Sequence, residues 1–390
     1  MTADTQPRDT TATDEALDGA EPPADPVLHG LLDDIHLVVT GYVALPYEYF
    51  AVAVVLWIVV THVLPAFDCA PRLVVRSPQK RCGKSRLLDV IAGLCHMPLV
   101  TIDASTPAIF RSLDCEHPPT LIVDEVDAIF GTKRQAESNE DLRALLNAGH
   151  QRDRPVVRCV GPWHIPTEFS VFAMAALAGI GDVPDTITDR AVNITLQRRA
   201  PGEKVAQFRS RRDKPVLKML HDRVAGWAAV HVEGLKDARP KMPVTDRAAD
   251  TWEPLIAVAD AAGSEYGKKA RAACKAMVAA DEVADQERSL GIRLLTDIRD
   301  EFASHGEEFL ASELLTLYLR GIEDSPWSEF RLTPRKLAYR LKDYGIKPGH
   351  NTGRTVRGYW LKDFSDAFER YLPPDPSKPS HRPETGDDQG

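Results

Sequence analysis

Apolar positions change rhythm along the chain, and each rhythm predicts a different kind of element. Residues 1–26 hold Thr, Asp, Ala and Pro with few large apolar side chains, which predicts a disordered acidic tail. Tyr49–Val60 is then almost continuously apolar. Crossing a bilayer takes about 20 such residues. This run is broken by Thr61-His62 and stopped by Pro65, so it reads as a buried helix and no membrane is expected. From Arg72 to Arg199 short apolar runs alternate with helical periods. The expected strands are Leu73–Arg76, Leu99–Ile102 (within Pro98–Asp103), Leu121–Asp124, Phe169–Ala175 and Ala191–Leu196. Such alternation predicts a parallel sheet flanked by helices. Val156–Val160, with Glu168 nearby, suits a hairpin, and 137–149 suits a helix with Leu142, Leu145 and Leu146 on one face.

Beyond the sheet, 203–300 reads as helical throughout, with Ile292, Leu295, Ile298 and Phe302 as a core stripe. A smaller module follows. It runs helix (Ser312–Leu319), loop (Asp324–Trp327), helix (Thr333–Tyr344), a Gly-rich turn, a strand pair around Arg354–Trp360, and a last helix (Lys362–Tyr371). Two helices followed by a β-wing make a winged-helix pattern. The expected organisation is a tail (1–26), an α/β core with N-terminal helices (27–200), a helical lid (201–304), the winged-helix-like basic module (305–372) and a Pro-rich disordered tail (373–390).

One strand-to-helix junction carries chemistry. Leu73-Val-Val-Arg is followed by Ser77, Pro78, Gln79, Lys80, Arg81, Cys82, Gly83, Lys84, Ser85 and Arg86. A loop closing in Gly-Lys-Ser at a helix start is the layout of a phosphate-binding P-loop. Its amides face phosphates, Lys84 reaches the β/γ-phosphates, and the Ser85 hydroxyl holds magnesium. The pattern departs at its first glycine, which is Pro78 here. Proline offers no N–H and fixes its own φ, so the loop must cradle phosphate with fewer amides, helped by Lys80 or Arg81.

A buried-type strand, Thr120-Leu-Ile-Val, ends in Asp124-Glu125. Asp124 is placed to orient magnesium, and Glu125 to polarise a water aimed at the γ-phosphate. The two signals in this order predict a magnesium-dependent ATP hydrolase with a P-loop NTPase core of ASCE/AAA+-like type. The later strand offers no obvious polar residue to position that water, and the role stays unassigned.

Charge sharpens the picture. The net charge is −9, but 1–34 alone carries −8 and the tail from Asp375 carries −2, leaving the body near +1. Within it, 330–372 holds ten Lys/Arg against four Asp/Glu. Local basicity of this kind suits one nucleic-acid-facing module. Arg335, Lys336 and Arg340 fall on one helix and Arg354 and Arg357 in the wing, a set able to contact DNA phosphates, single- or double-stranded. The other reading of these residues is a soluble helix face or a protein-binding wing. Six scattered cysteines without a C-x-x-C pair argue against zinc or a disulfide framework. Reduced thiols, and no leader in the acidic first 25 residues, predict a cytoplasmic protein.

Arg190, just before the last sheet strand, has two readings. In ring-forming ATPases an arginine there reaches a neighbour's γ-phosphate, which would imply a homo-oligomer. Alternatively it caps a helix end, with Asp189 or Asp185 as partner. Arg198 and Arg199 are weaker candidates for the first role. His62 reads as a satisfied core histidine rather than a ligand.

Leu56-Trp57 with Thr61-His62, Ser77-Pro78…Arg81-Cys82-Gly83-Lys84-Ser85, Ala178-Gly179-Ile180-Gly181, Pro184-Asp185-Thr186…Asp189-Arg190 and Leu332-Thr333-Pro334-Arg335…Tyr344-Gly345-Ile346 together resemble a known family. It comprises actinobacterial phage- and plasmid-type ATPases with a C-terminal domain of unknown function. The resemblance spans roughly 35–372. It implies a helicase-like replication ATPase using ATP and magnesium, with Pro78 a family-type variation and any primase a separate partner. The rival expectation is a nucleotide-dependent switch or scaffold that binds a protein partner through its winged module.

Overall fold

The computed structural model describes residues 24–101, 106–130, 139–181, 183–322 and 325–372. The chain divides into two compact units, Met1–Ala279 and Ala280–Gly390. The tail expectations for 1–23 and 373–390 lie outside the described residues, and 24–26 already lead into the first helix.

In the first unit, Pro26–Tyr42 is helical because its entrance is capped and one face is apolar. The Asp25 carboxylate accepts from the Val27 and Leu28 amides at 2.8 and 3.2 Å, and Pro26 supplies a preset φ at the first turn. Leu28, Leu31, Leu32, Ile35 and Val39 recur at helical spacing and are buried. The next helix, Glu48–Val63, is buried nearly all round. Glu48–Ala66, the one stretch among the described residues long and apolar enough to cross a membrane, lies mostly inside the protein. Two of its polar atoms find internal partners: Trp57 Nε1 donates to the Pro71 carbonyl at 2.8 Å, and His62 Nε2 pairs with the Leu94 carbonyl at 2.7 Å. The buried His62 Nδ1 has none among the described residues, so the expected satisfied core histidine is met at one ring nitrogen only.

The sheet consists of β1 (Arg72–Ser77), β2 (Pro98–Thr101), β3 (Thr120–Val123), β6 (Ala175–Ile180) and β7 (Ala191–Thr195), all parallel, in the order β2-β3-β6-β1-β7. Both faces are covered, as a parallel sheet requires. Leu73, Val75, Ile122, Ala176, Ala178, Val192 and Ile194 share one core with the Glu48–Val63, Lys84–Leu94, Ser210–Leu235 and Asp246–Ala261 helices. Val74, Leu121, Val123, Ala175 and Leu177 share another with the Thr106–Leu113, Val126–Phe130 and Glu140–Ala148 helices. An antiparallel hairpin, β4 (Val156–Val160) and β5 (Ile165–Phe169), precedes β6.

The structure moves several expected boundaries. Phe169 ends the hairpin rather than starting a sheet strand, and β6 begins at Ala175, where the expected strand ended. Ala175-Ala-Leu-Ala-Gly179 carries little β-branched or aromatic signal, so propensity pointed to the bulkier residues upstream. β2 is described to Thr101, and 102–105 of the expected Leu99–Ile102 strand lie outside the described residues, as do 137–138 of the expected helix. The 203–300 region is not continuously helical: Ser210–Leu235, Asp246–Ala261 and Ser264–His305 are separated by non-helical connections. Nor does it make a separate lid. Its first two helices and Tyr266 to Met277 build the same core as the N-terminal helices, while the part from 280 belongs to the second unit.

That second unit packs Leu294, Leu295, Ile298 and Phe302 with Leu310, Leu315, Leu319, Trp327, Leu337, Leu341, Tyr359 and Phe364. Leu294 fills the stripe position expected of Ile292, which is 38% exposed. The order is the end of the Ser264–His305 helix, β8 (Phe309–Ala311), helix Ser312–Gly321, helical turn Pro326–Glu329, helix Pro334–Leu341, β9 (Gly349–His350), β10 (Arg357–Trp360) and helix Ser365–Tyr371. The strands pair antiparallel as β8-β10-β9. The expected Asp324–Trp327 loop is in part the Pro326–Glu329 turn, with Trp327 fully buried and its Nε1 donating to Asp297 Oδ2 at 2.5 Å. The helix expected to reach Tyr344 ends at Leu341 and tightens into a 3₁₀ turn closed by Gly345 at φ 74°.

Candidate active site

β1 delivers Ser77 to the C-terminal edge of the sheet, in register with Ile180 of β6. The loop from Pro78 to Cys82 then turns into the Lys84–Leu94 helix through Gly83, whose φ of 95° suits a residue without a side chain. The Gly83 carbonyl accepts from the Leu87 amide at 2.9 Å. The amides of Gly83, Lys84, Ser85 and Arg86 have no acceptor within the helix, as at any helix start. The loop interior is held by one carbonyl: Gln79 O accepts from Ser77 Oγ at 2.6 Å and from Cys82 Sγ at 3.2 Å. Lys84 Nζ donates to Ser77 Oγ at 2.6 Å. Ser77 and Cys82 are buried, whereas Pro78, Gln79, Lys80, Arg81 and Ser85 face solvent. Arg86 is engaged elsewhere, with Asp89 at 3.1 Å and its guanidinium 4.7 Å over the Phe208 ring.

The acidic pair lies at the same edge, because β3 is parallel to β6 and β6 to β1. β6 separates the two motifs, so they stand two strand spacings apart, roughly 9–10 Å. Asp124 is half-buried and Glu125 is exposed. Glu125 adopts φ 57°, an uncommon conformation for a glutamate, with its amide donating to Asp124 Oδ1 at 2.9 Å. Asp127 joins the edge as a residue that sequence reasoning missed. Its Oδ1 accepts from the Ile180 amide at 2.8 Å, and a Cβ on Gly179 would stand 3.0 Å from that oxygen. Its signal was a third carboxylate in Asp124-Glu-Val-Asp127. Gly179, Ile180 and Gly181, at the end of β6, offer no polar side chain.

Arg190 sits at the other end of the sheet. It precedes β7, whose Ala191 is in register with Arg72 at the start of β1. Its Nε donates to His150 Nε2 at 3.2 Å and its Nη1 to the Thr186 carbonyl at 2.5 Å. His150 can accept because burial, and then the Arg72, Arg190 and Arg154 guanidiniums, push its pKa down to about 4. Its Nδ1 pairs with the Asn147 carbonyl at 2.7 Å. Asp189, one of the partners expected for Arg190, pairs with Arg247 instead. Arg198 and Arg199 are exposed beyond β7. His62 is buried, and burial lowers its pKa to about 4 as well.

In the second unit the basic residues separate into two groups. Lys336 Nζ donates to the Phe330 and Arg331 carbonyls at 2.8 and 3.3 Å, and the Arg340 guanidinium lies 5.7 Å over the Phe330 ring. Arg335, Arg354 and Arg357 are exposed, and their side chains make no hydrogen bond or ion pair among the described residues. Tyr339, 76% exposed, shares a helix with Arg335.

Among the described residues no group of three or more His, Cys, Asp or Glu side chains is arranged to hold a metal ion. At the loop edge, Ser85 and Asp124 offer hard oxygen donors in a number that suits magnesium carried by phosphates and water rather than a protein cage.

Comparison with known proteins places the chain. Two solved apo structures of the NrS-1 C terminal region cover 86% of it, at 10% and 12% identity with TM-scores of 0.32 and 0.31, and this chain covers 78% and 76% of theirs. Likeness that distant bears on neither fold detail nor chemistry. Residues 195–371 match the family model "Protein of unknown function (DUF3631)". The "Uncharacterized 28.9 kDa protein in xis 5'region" of Saccharopolyspora erythraea is 39% identical over 196 residues, 48% of this chain and 72% of that protein. On that identity and coverage, the chain belongs to the same family as the Saccharopolyspora erythraea protein.

Proposed function

We propose that this protein is a magnesium-dependent P-loop ATPase of a mobile element, helicase-like and acting on DNA during replication. One observation carries the proposal: Lys84 and the amides of a helix start stand on the same sheet edge as Asp124 and Glu125, with one strand between them. Phosphates bound at the helix start would meet free N–H groups and the Lys84 ammonium. Ser85 and Asp124 would hold magnesium, which neutralises charge on the phosphates. Glu125, exposed at the end of that edge, would take a proton from the attacking water. Arg190 faces away from its own loop, so any role in the reaction would be toward a neighbour in a homo-oligomer.

The basic unit supports the nucleic-acid part. Its helix–strand order and β8-β10-β9 pairing suit a winged helix, with Arg335 on the third helix and Arg354 and Arg357 on the wing. The relative's xis 5' region fits a mobile-element setting.

The test is ATP turnover by the full chain with and without single-stranded DNA, alongside nucleotide binding. Wild type is expected to hydrolyse ATP faster with DNA. Glu125→Gln should bind ATP normally and lose turnover by on the order of 10². Wild-type turnover in Glu125→Gln would refute the catalytic assignment. A basal rate indifferent to DNA would favour a nucleotide-dependent switch.

A further inference from the structure

The loop departs from a glycine-rich design at Pro78, and the structure contains a compensating contact one residue earlier. Ser77 is 2% exposed, beneath the loop rather than on the surface that would meet phosphate. Its hydroxyl makes two bonds at once, donating to Gln79 O at 2.6 Å and accepting from Lys84 Nζ at 2.6 Å. The first bond turns the Gln79 carbonyl inward, where Cys82 Sγ also donates to it. The second fixes the end of a side chain whose flexible four-carbon stem otherwise leaves the ammonium free to wander.

We infer that Ser77 is a positioning residue that orients the Lys84 ammonium toward the terminal phosphate of a bound nucleoside triphosphate. This rests on the P-loop reading of the site. An ammonium has three N–H donors. With one held by Ser77, two remain, enough for one oxygen on each of the β- and γ-phosphates. A hydroxyl suits this role because it accepts without carrying charge: a carboxylate there would neutralise the lysine and repel phosphate. Without Ser77 the ammonium loses its fixed direction, and the contact most sensitive to that is the one farthest along the polyphosphate. Ser77 therefore sets preference for triphosphate over diphosphate, not polyphosphate affinity in general.

The test measures ATP and ADP dissociation constants by calorimetry for the full-length wild type, Ser77→Ala, Ser77→Thr and Lys84→Ala, with a thermal melt of each. Losing a hydrogen bond to a charged group predicts roughly tenfold weaker ATP binding in Ser77→Ala. ADP binding should weaken by less than about threefold. Ser77→Thr keeps the hydroxyl and should stay near wild type for both. Equal weakening of ATP and ADP in Ser77→Ala would reduce Ser77 to a structural part of the loop. Unchanged ATP affinity in Ser77→Ala, with Lys84→Ala impaired, would overturn the inference while leaving the nucleotide site intact. If Lys84→Ala binds ATP like wild type, the P-loop reading fails, and the inference with it.

Discussion

The two ends of the parallel sheet are both rich in cations, yet they treat them oppositely. At the C-terminal end, Lys84 rests against one neutral hydroxyl, and the loop around it faces solvent. At the N-terminal end, Arg72 is 2% exposed and gives its donors to the Leu146, Ala70 and Ala173 carbonyls. Burial lowers its pKa to about 10, which still leaves it charged at neutral pH. The difference teaches how to separate a fastening cation from a working one. A guanidinium spread over several backbone carbonyls closes an edge, whereas an ammonium held by a single hydroxyl keeps donors for something else.

Arg190 is the residue that could break this division. It belongs to the fastened end through His150 and the Thr186 carbonyl, yet those bonds use Nε and Nη1 only. If Nη2 serves a neighbour's γ-phosphate, Arg190→Ala should bind ATP normally and turn over roughly 10³-fold more slowly. Mixing it with inactive Lys84→Ala should restore part of the rate, since mixed oligomers pair an intact loop with an intact arginine. No recovery at any ratio, with mixed assembly confirmed by sedimentation, would leave Arg190 a fastener.

A smaller but cleaner contrast comes from Arg72→Ala and Lys84→Ala. Removing Arg72 strands buried carbonyls and opens a void, at a cost of about 3–5 kcal/mol in denaturant unfolding. Lys84→Ala should stay within about 0.5 kcal/mol of wild type, as for a side chain outside the core. Similar stability losses in both would erase the distinction.

The sequence made the loop end easier to read than the fastened end, for a physical reason. Gly83-Lys84-Ser85 and Asp124-Glu125 are adjacent residues whose chemistry is local, so a short window contains the signal. Apart from the nearby Ala70 and Thr186 carbonyls, the partners of Arg72 and Arg190 lie far along the chain, at Leu146, Ala173 and His150, and are backbone carbonyls or a histidine without motif context. The same limit explains β6, whose alanines carry no strand signature. It also explains Asp127, whose partner Ile180 is 53 residues away. In the second unit, periodicity found the stripe but placed Ile292 where the helix turns Leu294 inward.

A further test uses pH. The folded-state pKa values of His150 and His62, each about 4, lie below the ordinary 6.5, so the unfolded chain binds more protons between those values. Stability should be full above pH 6.5 and fall progressively as pH drops toward 4. His150→Gln should flatten part of that decline in thermal melts, because an amide oxygen can still accept from Arg190 without ever gaining charge. A decline as steep as wild type would assign the acid sensitivity to other groups.

The small residues of β6 have a consequence of their own. Ala176 and Ala178 keep the strand between the two motifs small on the face it shares with the Lys84–Leu94 helix, while Leu177 fills the other face. The Lys84–Leu94 helix that follows the loop can therefore approach the middle of the sheet closely. A methyl added at Gly179 would press on Asp127 Oδ1 and Val126, at the start of the helix that follows the acidic pair. A strand that is inconspicuous in the sequence thus holds one position, Gly179, with no room for a side chain.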